Sequence, residues 1–163
     1  MKNNFSFYLF TLVFLFSVKT FLLADELEIN SSKIKFDKKT KITILEGNVS
    51  AIDSKNNKIF SDLAKYNKNT KSVETFGNTK IITSEGYELT GENVYFDNIK
   101  KVISSNKNTK IMDKDGNEIF VEMFKYLVEK NMFFSKGNIK IKDINNNEYN
   151  FSEIYIDEKK IRL

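Results

Sequence analysis

The sequence predicts an all-β fold of short antiparallel strands, stacked in repeating layers of about thirty residues. One phrase returns four times at fixed spacing. Each copy alternates apolar and polar residues with period two. The chain has no proline and no convincing apolar period of three to four residues.

Residues 1–24 stand apart from the rest. Lys2 is followed by the apolar run FSFYLFTLVFLF (Phe5 to Phe16), and FLLAD places the small Ala24 before Asp25. A basic start, a short apolar core and a small residue at the boundary form the layout of a cleaved export signal. A retained membrane anchor is the alternative, but a spanning helix needs about 20 apolar residues and Lys19 interrupts this run. The expected organisation is therefore a signal segment over 1–24 and one β domain over 25–163.

The first copy of the phrase, FDKKTKITILEGNVSAID, begins at Phe36. Aromatic residues recur at Phe36, Tyr66, Phe96 and Tyr126, and asparagines at Asn48, Asn78, Asn108 and Asn138. Glycine precedes the asparagine at Gly47, Gly77 and Gly137, while Lys107 takes its place in the third copy. Two residues before each aromatic stands an apolar one: Ile34, Ala64, Val94 and Phe124. A fifth copy begins at IYIDEKK. Alternating segments such as KIKFD and NVSAID have strand composition, rich in Ile, Val, Phe, Tyr and Thr. The joints DKKTK, NKNTK and DNIKK, and on the other side DSKNNK, TSEGYE, DKDGNE and DINNNE, are turn formers that tolerate positive φ. Glycine before the asparagine is expected at a bulge or bend. About three short strands per unit result. EIFVEMFKYLVEK (Glu118 to Lys130) has some helical character, but its alignment with the other copies makes it strand.

Two columns are expected to face inward. One holds Ile34, Phe36, Tyr66, Val94, Phe96, Phe124 and Tyr126; the other holds Val49, Ala51, Ile81, Ile111, Ile139 and Ile141. Core packing is the default for such residues. Every layer needs an inward aromatic, a turn, a bend and an inward aliphatic, and no layer can bury its apolar face alone.

Composition limits the chemistry. The net charge of +4 on 163 residues gives no strong field for nucleic acid. With no His and no Cys, nucleophilic triads and zinc sites built on those ligands are excluded. Recurring acids at Asp37, Asp97 and Asp157, and at Asp53, Asp113 and Asp143, fall at turns, where Asp serves local hydrogen bonding. DKDGNE has its glycine two places too early for a calcium loop of the EF-hand type. Lys33, Lys35, Lys38, Lys39 and Lys41 form a basic cluster. It could attract lipid phosphates, but a solvated strand face and turn that discourages edge pairing is the plainer expectation. There is no Gly-rich nucleotide loop.

The fourfold phrase, from IKFD through EGNVSAID to FSDLAKY, resembles the OstA-like domain of the lipopolysaccharide transport proteins. That domain occurs in LptA, in the periplasmic part of LptC and in the N-terminal region of LptD. The resemblance spans residues 27 to 160. It implies a β-jellyroll with an apolar interior that carries lipopolysaccharide acyl chains. It also implies pairing through edge strands with other OstA-like domains, in a bridge across the periplasm of a Gram-negative bacterium, in contact with either membrane. No enzyme activity and no cofactor are implied. Both columns would then line the lipid path. LptA-like protein and detached LptD-type domain are both compatible, as is an anchored LptC-like component. A structural surface β-repeat without lipid and a carboxylate-based carbohydrate enzyme are the rivals. The last strand, SEIYIDEKK, is expected to be a free edge at which Ile156→Pro disturbs pairing at little cost to the core.

Overall fold

A computed structural model describes residues 27–158. The expected signal segment and its boundary at Ala24 lie outside that range, as does the anchor alternative.

Thirteen strands follow one another: β1 (Glu28–Asn30), β2 (Lys33–Asp37), β3 (Ile42–Ile52), β4 (Lys58–Asn67), β5 (Ser72–Ile82), β6 (Glu88–Glu92), β7 (Tyr95–Asp97), β8 (Val102–Ser105), β9 (Thr109–Met112), β10 (Glu118–Val121), β11 (Phe124–Leu127), β12 (Met132–Lys142) and β13 (Glu148–Asp157). Every pairing is antiparallel, in one continuous sheet. The segment with helical character forms β10 and β11, because its apolar positions follow the strand register.

The units differ from the expected three short strands. Long strands of 10 or 11 residues run at both ends of the stack. In the middle the same paths are cut in two, giving β6 and β7, β8 and β9, and β10 and β11. The cuts and the bends share one line, a spine along which the sheet folds into two walls. In β3 the register shifts between Glu46 and Val49, and in β12 between Lys136 and Ile139. Gly47, Asn48, Gly77, Asn93 and Gly137 all take positive φ along this line. The glycine before asparagine is therefore a hinge for strands that stay continuous. The third copy dispenses with it: Lys107 lies in the gap between β8 and β9, where the strand stops instead of bending.

The first wall comprises β1, β6, β9, β10 and the spine-to-turn halves of β3, β4, β5, β12 and β13 that pair with them. The second comprises β2, β7, β8, β11 and the other halves of the long strands. Two series of turns form the free rims. On the first wall they are residues 53–57, 83–87, 113–117 and 143–147, with positive φ at Asn56, Gly86, Gly116 and Asn146. On the second they follow β2, β4, β7 and β11, with positive φ at Lys41, Lys71, Lys101 and Asn131. Each series repeats every thirty residues, so the sequence period is the period of backbone handedness.

Candidate functional site

The interior between the walls is built from rows of directly paired residues. On the first wall one row runs Ile29, Ala51, Ile59, Ile81, Leu89, Ile111, Ile119, Ile141, Tyr149. A second, nearer the spine, runs Val49, Ser61, Thr79, Gly91, Thr109, Val121, Ile139, Phe151. On the second wall the row is Phe36, Thr43, Tyr66, Val73, Phe96, Ile103, Tyr126, Phe133, Ile156. Paired residues share a face, so a single buried member fixes the direction of its row.

In the middle the rows are sealed. Val49, Ile81, Val94, Phe96, Ile111, Phe124, Tyr126 and Ile139 are all buried, in one cluster with residues that sequence reasoning did not single out: Leu45, Val73, Leu89, Ile103, Ile119, Val121 and Phe133. Phe124 stacks on Phe133 at 5.7 Å. Hydroxyls close the spine: Thr79 Oγ1 donates to Thr75 Oγ1 at 2.7 Å, and Ser135 Oγ to the Met123 carbonyl at 2.7 Å.

At the two ends the same rows emerge uncovered. Ile34 is 61% exposed and Phe36 50%, although register turns both inward beside Leu45 and Thr43. Tyr66 is half-buried beside them. Leu27, Ile29, Ile34, Thr43, Leu45 and Tyr66 line a cavity of about 270 Å³ at this mouth. At the other end Tyr149 and Phe151 are 46% and 47% exposed, and Ile141 and Ile154 are half-buried. A cavity of about 290 Å³ there is lined by Tyr87, Ile119, Ile141, Tyr149, Ile154 and Ile156, with Asp113, Asn117 and Asp143 at its polar border. The expected columns thus divide into a packed middle and two apolar mouths. Ile156 is only 4% exposed and pairs with Phe133, so it belongs to the core and is not the dispensable edge position its place in the sequence suggests.

The turns hold most of the other expected residues. Asp53 accepts from the Lys55 and Asn57 amides at 2.9 and 2.8 Å, and from Asn57 Nδ2 at 2.8 Å. Asp113 and Asp143 repeat this pattern. Asp37 and Asp97 each accept two amides of the following turn, which holds both carboxyls below the usual range. In DKDGNE the Asp113 carboxylate is occupied by its own turn. Among the described residues no group of acids is placed to hold a metal. Of the basic cluster, Lys33 and Lys35 pair with Glu46 at 3.2 and 2.6 Å on an exposed face.

One buried acid escaped sequence reasoning. Glu158 is 5% exposed; its carboxylate accepts from Tyr126 Oη at 2.7 Å and Thr83 Oγ1 at 3.0 Å. Burial pushes this carboxyl above the usual range, against the pull of the two hydroxyls. The same burial pushes Tyr126 up strongly, and Tyr87 up to about 12. The thirty-residue offset could have found it, since Glu158 occupies the turn position of the buried Val128.

A folded antiparallel sheet with a packed middle and an apolar mouth at each end defines a class of all-β stack built to leave part of its core open. The chain belongs to the OstA-like protein family, whose model matches residues 18–152. Among solved structures it is similar to LptH, the LptA homologous periplasmic component of the lipopolysaccharide transport device from Pseudomonas aeruginosa. The TM-score is 0.59 at 12% identity, over 69% of this chain and 82% of that one. At that identity the likeness concerns the fold, and it agrees with the β-jellyroll expected from the sequence. No curated protein sequence matches the chain.

Proposed function

We propose that this protein is a periplasmic, non-enzymatic carrier of lipopolysaccharide between the inner and outer membranes. Residues 1–24 direct its export and are removed. The observation that carries the reading is the emergence of the inward rows at both ends, where Ile34 and Phe36, and Tyr149 and Phe151, stand exposed on faces that are core elsewhere. Exposed large apolar groups beside a cavity are suited to an acyl chain. Burying such a chain gains about 0.8 kcal/mol per methylene.

The terminal strands support pairing with other OstA-like domains. β2 carries Lys33 and Lys35 with Ile34 and Phe36, whereas β13 carries Glu148, Glu153 and Asp157 with Phe151 and Ile154. Alternating side chains of opposite charge suit antiparallel or parallel addition of one edge to another, and joining unlike ends need not close. The continuous apolar surface would then pass from one domain to the next.

The test is photo-crosslinking of purified protein to lipopolysaccharide from reporter residues at Ile34, Phe36 and Phe151, with outward-facing Tyr95 and Phe60 as controls. Capture at the mouths and not at the controls is expected. Equal capture at all five positions, or none, overturns the reading. The densely packed middle favours one second reading, a purely structural β-repeat, which predicts no capture at any position and no co-purifying lipid by mass spectrometry.

A further inference from the structure

The rims of the two walls meet across the opening at a small set of side-chain contacts. Lys55 Nζ donates to the Val128 carbonyl at 3.2 Å and pairs with Glu129 at 3.1 Å. Asn131 Nδ2 donates to Glu85 at 2.9 Å. Glu158, on the second rim, accepts from Thr83 on the first. All join a first-wall turn to a second-wall turn, and Glu158 also accepts from Tyr126 of the packed middle.

We propose that these contacts form a latch, and that the middle of the interior admits an acyl chain only when the rims part there. The proposal rests on the carrier reading and adds to it how the two mouths communicate. Three observations support it. First, the backbone ladders run within each wall, and the turn hydrogen bonds run along a rim: Lys68 N to Lys41 O, Asn98 N to Lys71 O, Val128 N to Lys101 O, Glu158 N to Asn131 O. Parting the rims therefore leaves the ladders whole. Second, the contacts across the opening are side-chain contacts. Lys55 and Glu129 are substantially exposed, and an exposed ion pair contributes little. Glu158 is buried with hydroxyls as its side-chain hydrogen-bond partners, a weaker closure than a paired cation. Third, the fold line opposite the latch already holds left-handed residues at Gly47, Asn48, Gly77, Asn93 and Gly137, where small changes of angle separate the walls.

The chain has no cysteine, so an introduced pair is unique. In the Lys55→Cys/Glu129→Cys variant, a short bis-maleimide clamps the rims at two exposed positions that do not contact the interior. A p-azidophenylalanine at Phe96 reports on the middle, and one at Ile34 reports on a mouth. Without the clamp, lipopolysaccharide is captured at both positions. With it, capture at position 34 persists and capture at 96 falls at least tenfold. Capture at 96 that survives the clamp overturns the latch, as does capture at 34 alone in the unclamped protein. Capture at neither position overturns the carrier reading and the latch with it. As a second measurement, spin labels at the exposed neighbouring positions 54 and 130, which leave Lys55 and Glu129 in place, should move apart when lipopolysaccharide is added; an unchanged distance overturns the proposal.

Discussion

The Tyr126 hydroxyl donates a 2.7 Å hydrogen bond to the buried carboxylate of Glu158, linking an inward row of the second wall to the turn that follows the last described strand. Removing one donor leaves a buried acceptor less satisfied, which costs about 1–3 kcal/mol. Tyr126→Phe should lower the urea midpoint accordingly. Glu158→Gln removes the charge that the hydroxyl serves. The double variant should therefore lose less than the sum of the single losses, by about 0.5 kcal/mol or more. Strict additivity in urea denaturation would show that the two groups are not coupled.

The same carboxyl gives a sign for pH dependence. Burial raises Glu158 first and foremost; the Tyr126 and Thr83 hydroxyls and Lys114 pull it down, and Glu85 adds to the rise. A folded-state value above the unfolded one means stability that is full below the unfolded carboxyl range and is lost as pH rises through the raised value. Glu158→Gln should therefore gain on the wild type as pH increases. Asp97 and Asp143 act oppositely, since hydrogen bonds from their own turns lower them: their contribution is present above the unfolded range and lost in acid. A wild-type-minus-variant stability difference that grows in favour of wild type with rising pH would contradict the Glu158 assignment.

Two glycines separate strain from collision. Gly77 has φ +75° and open space around a built Cβ, so Gly77→Ala should cost only its backbone conformation, about 1 kcal/mol, and Gly77→Asn less. At Gly91 a Cβ would come within 2.6 Å of Thr109 Oγ1 and 3.2 Å of the Asn108 carbonyl. Gly91→Ala must push β6 from β9 and should lower the melting temperature more than Gly77→Ala. The reverse order in thermal melts would refute the row in which Gly91 sits.

Phe36 and Phe96 occupy one row at different depths. Phe96→Ala empties a fully packed site and should cost about 3–5 kcal/mol. Phe36→Ala should change stability by less than about 1 kcal/mol, because half of its surface is already in water. Lipid capture at the neighbouring Ile34 should nevertheless fall. Equal destabilisation by the two changes, measured by chemical denaturation, would mean that the end layer is as closed as the middle.

Much of this was legible in the sequence because side-chain direction follows local pattern. The Phe36, Tyr66, Phe96, Tyr126 column and the Ile81, Ile111, Ile141 column are rows of the fold, since period two fixes which residues share a face. The split of those columns into middle and mouths was not legible. Ile34 and Val94 hold the same place in the repeat, and only the layers that happen to lie beside them decide that one is exposed and the other buried. The cost at Ile156 was misjudged for a related reason: β13 is an edge strand among the described residues, as expected, but Ile156 faces inward beside Phe133 and is part of the core. Glu158 lay in a charged terminal stretch that looked solvated, and nothing local announces a partner such as Thr83, 75 residues away.

The rim contacts also set a rule for length. Lys55 reaches Val128 across 73 residues and Thr83 reaches Glu158 across 75, two and a half units in each case. Asn131 reaches Glu85 across only 46, about one and a half units, so a single unit could bring no such turns opposite one another and would remain an open trough. Each unit beyond the minimum adds two strands, about 10 Å, to the roofed section while leaving the two entrances as they are. Size in this architecture is thus quantised: a chain that grows or shrinks by whole units changes the length of its roofed, packed middle but not the shape of its openings.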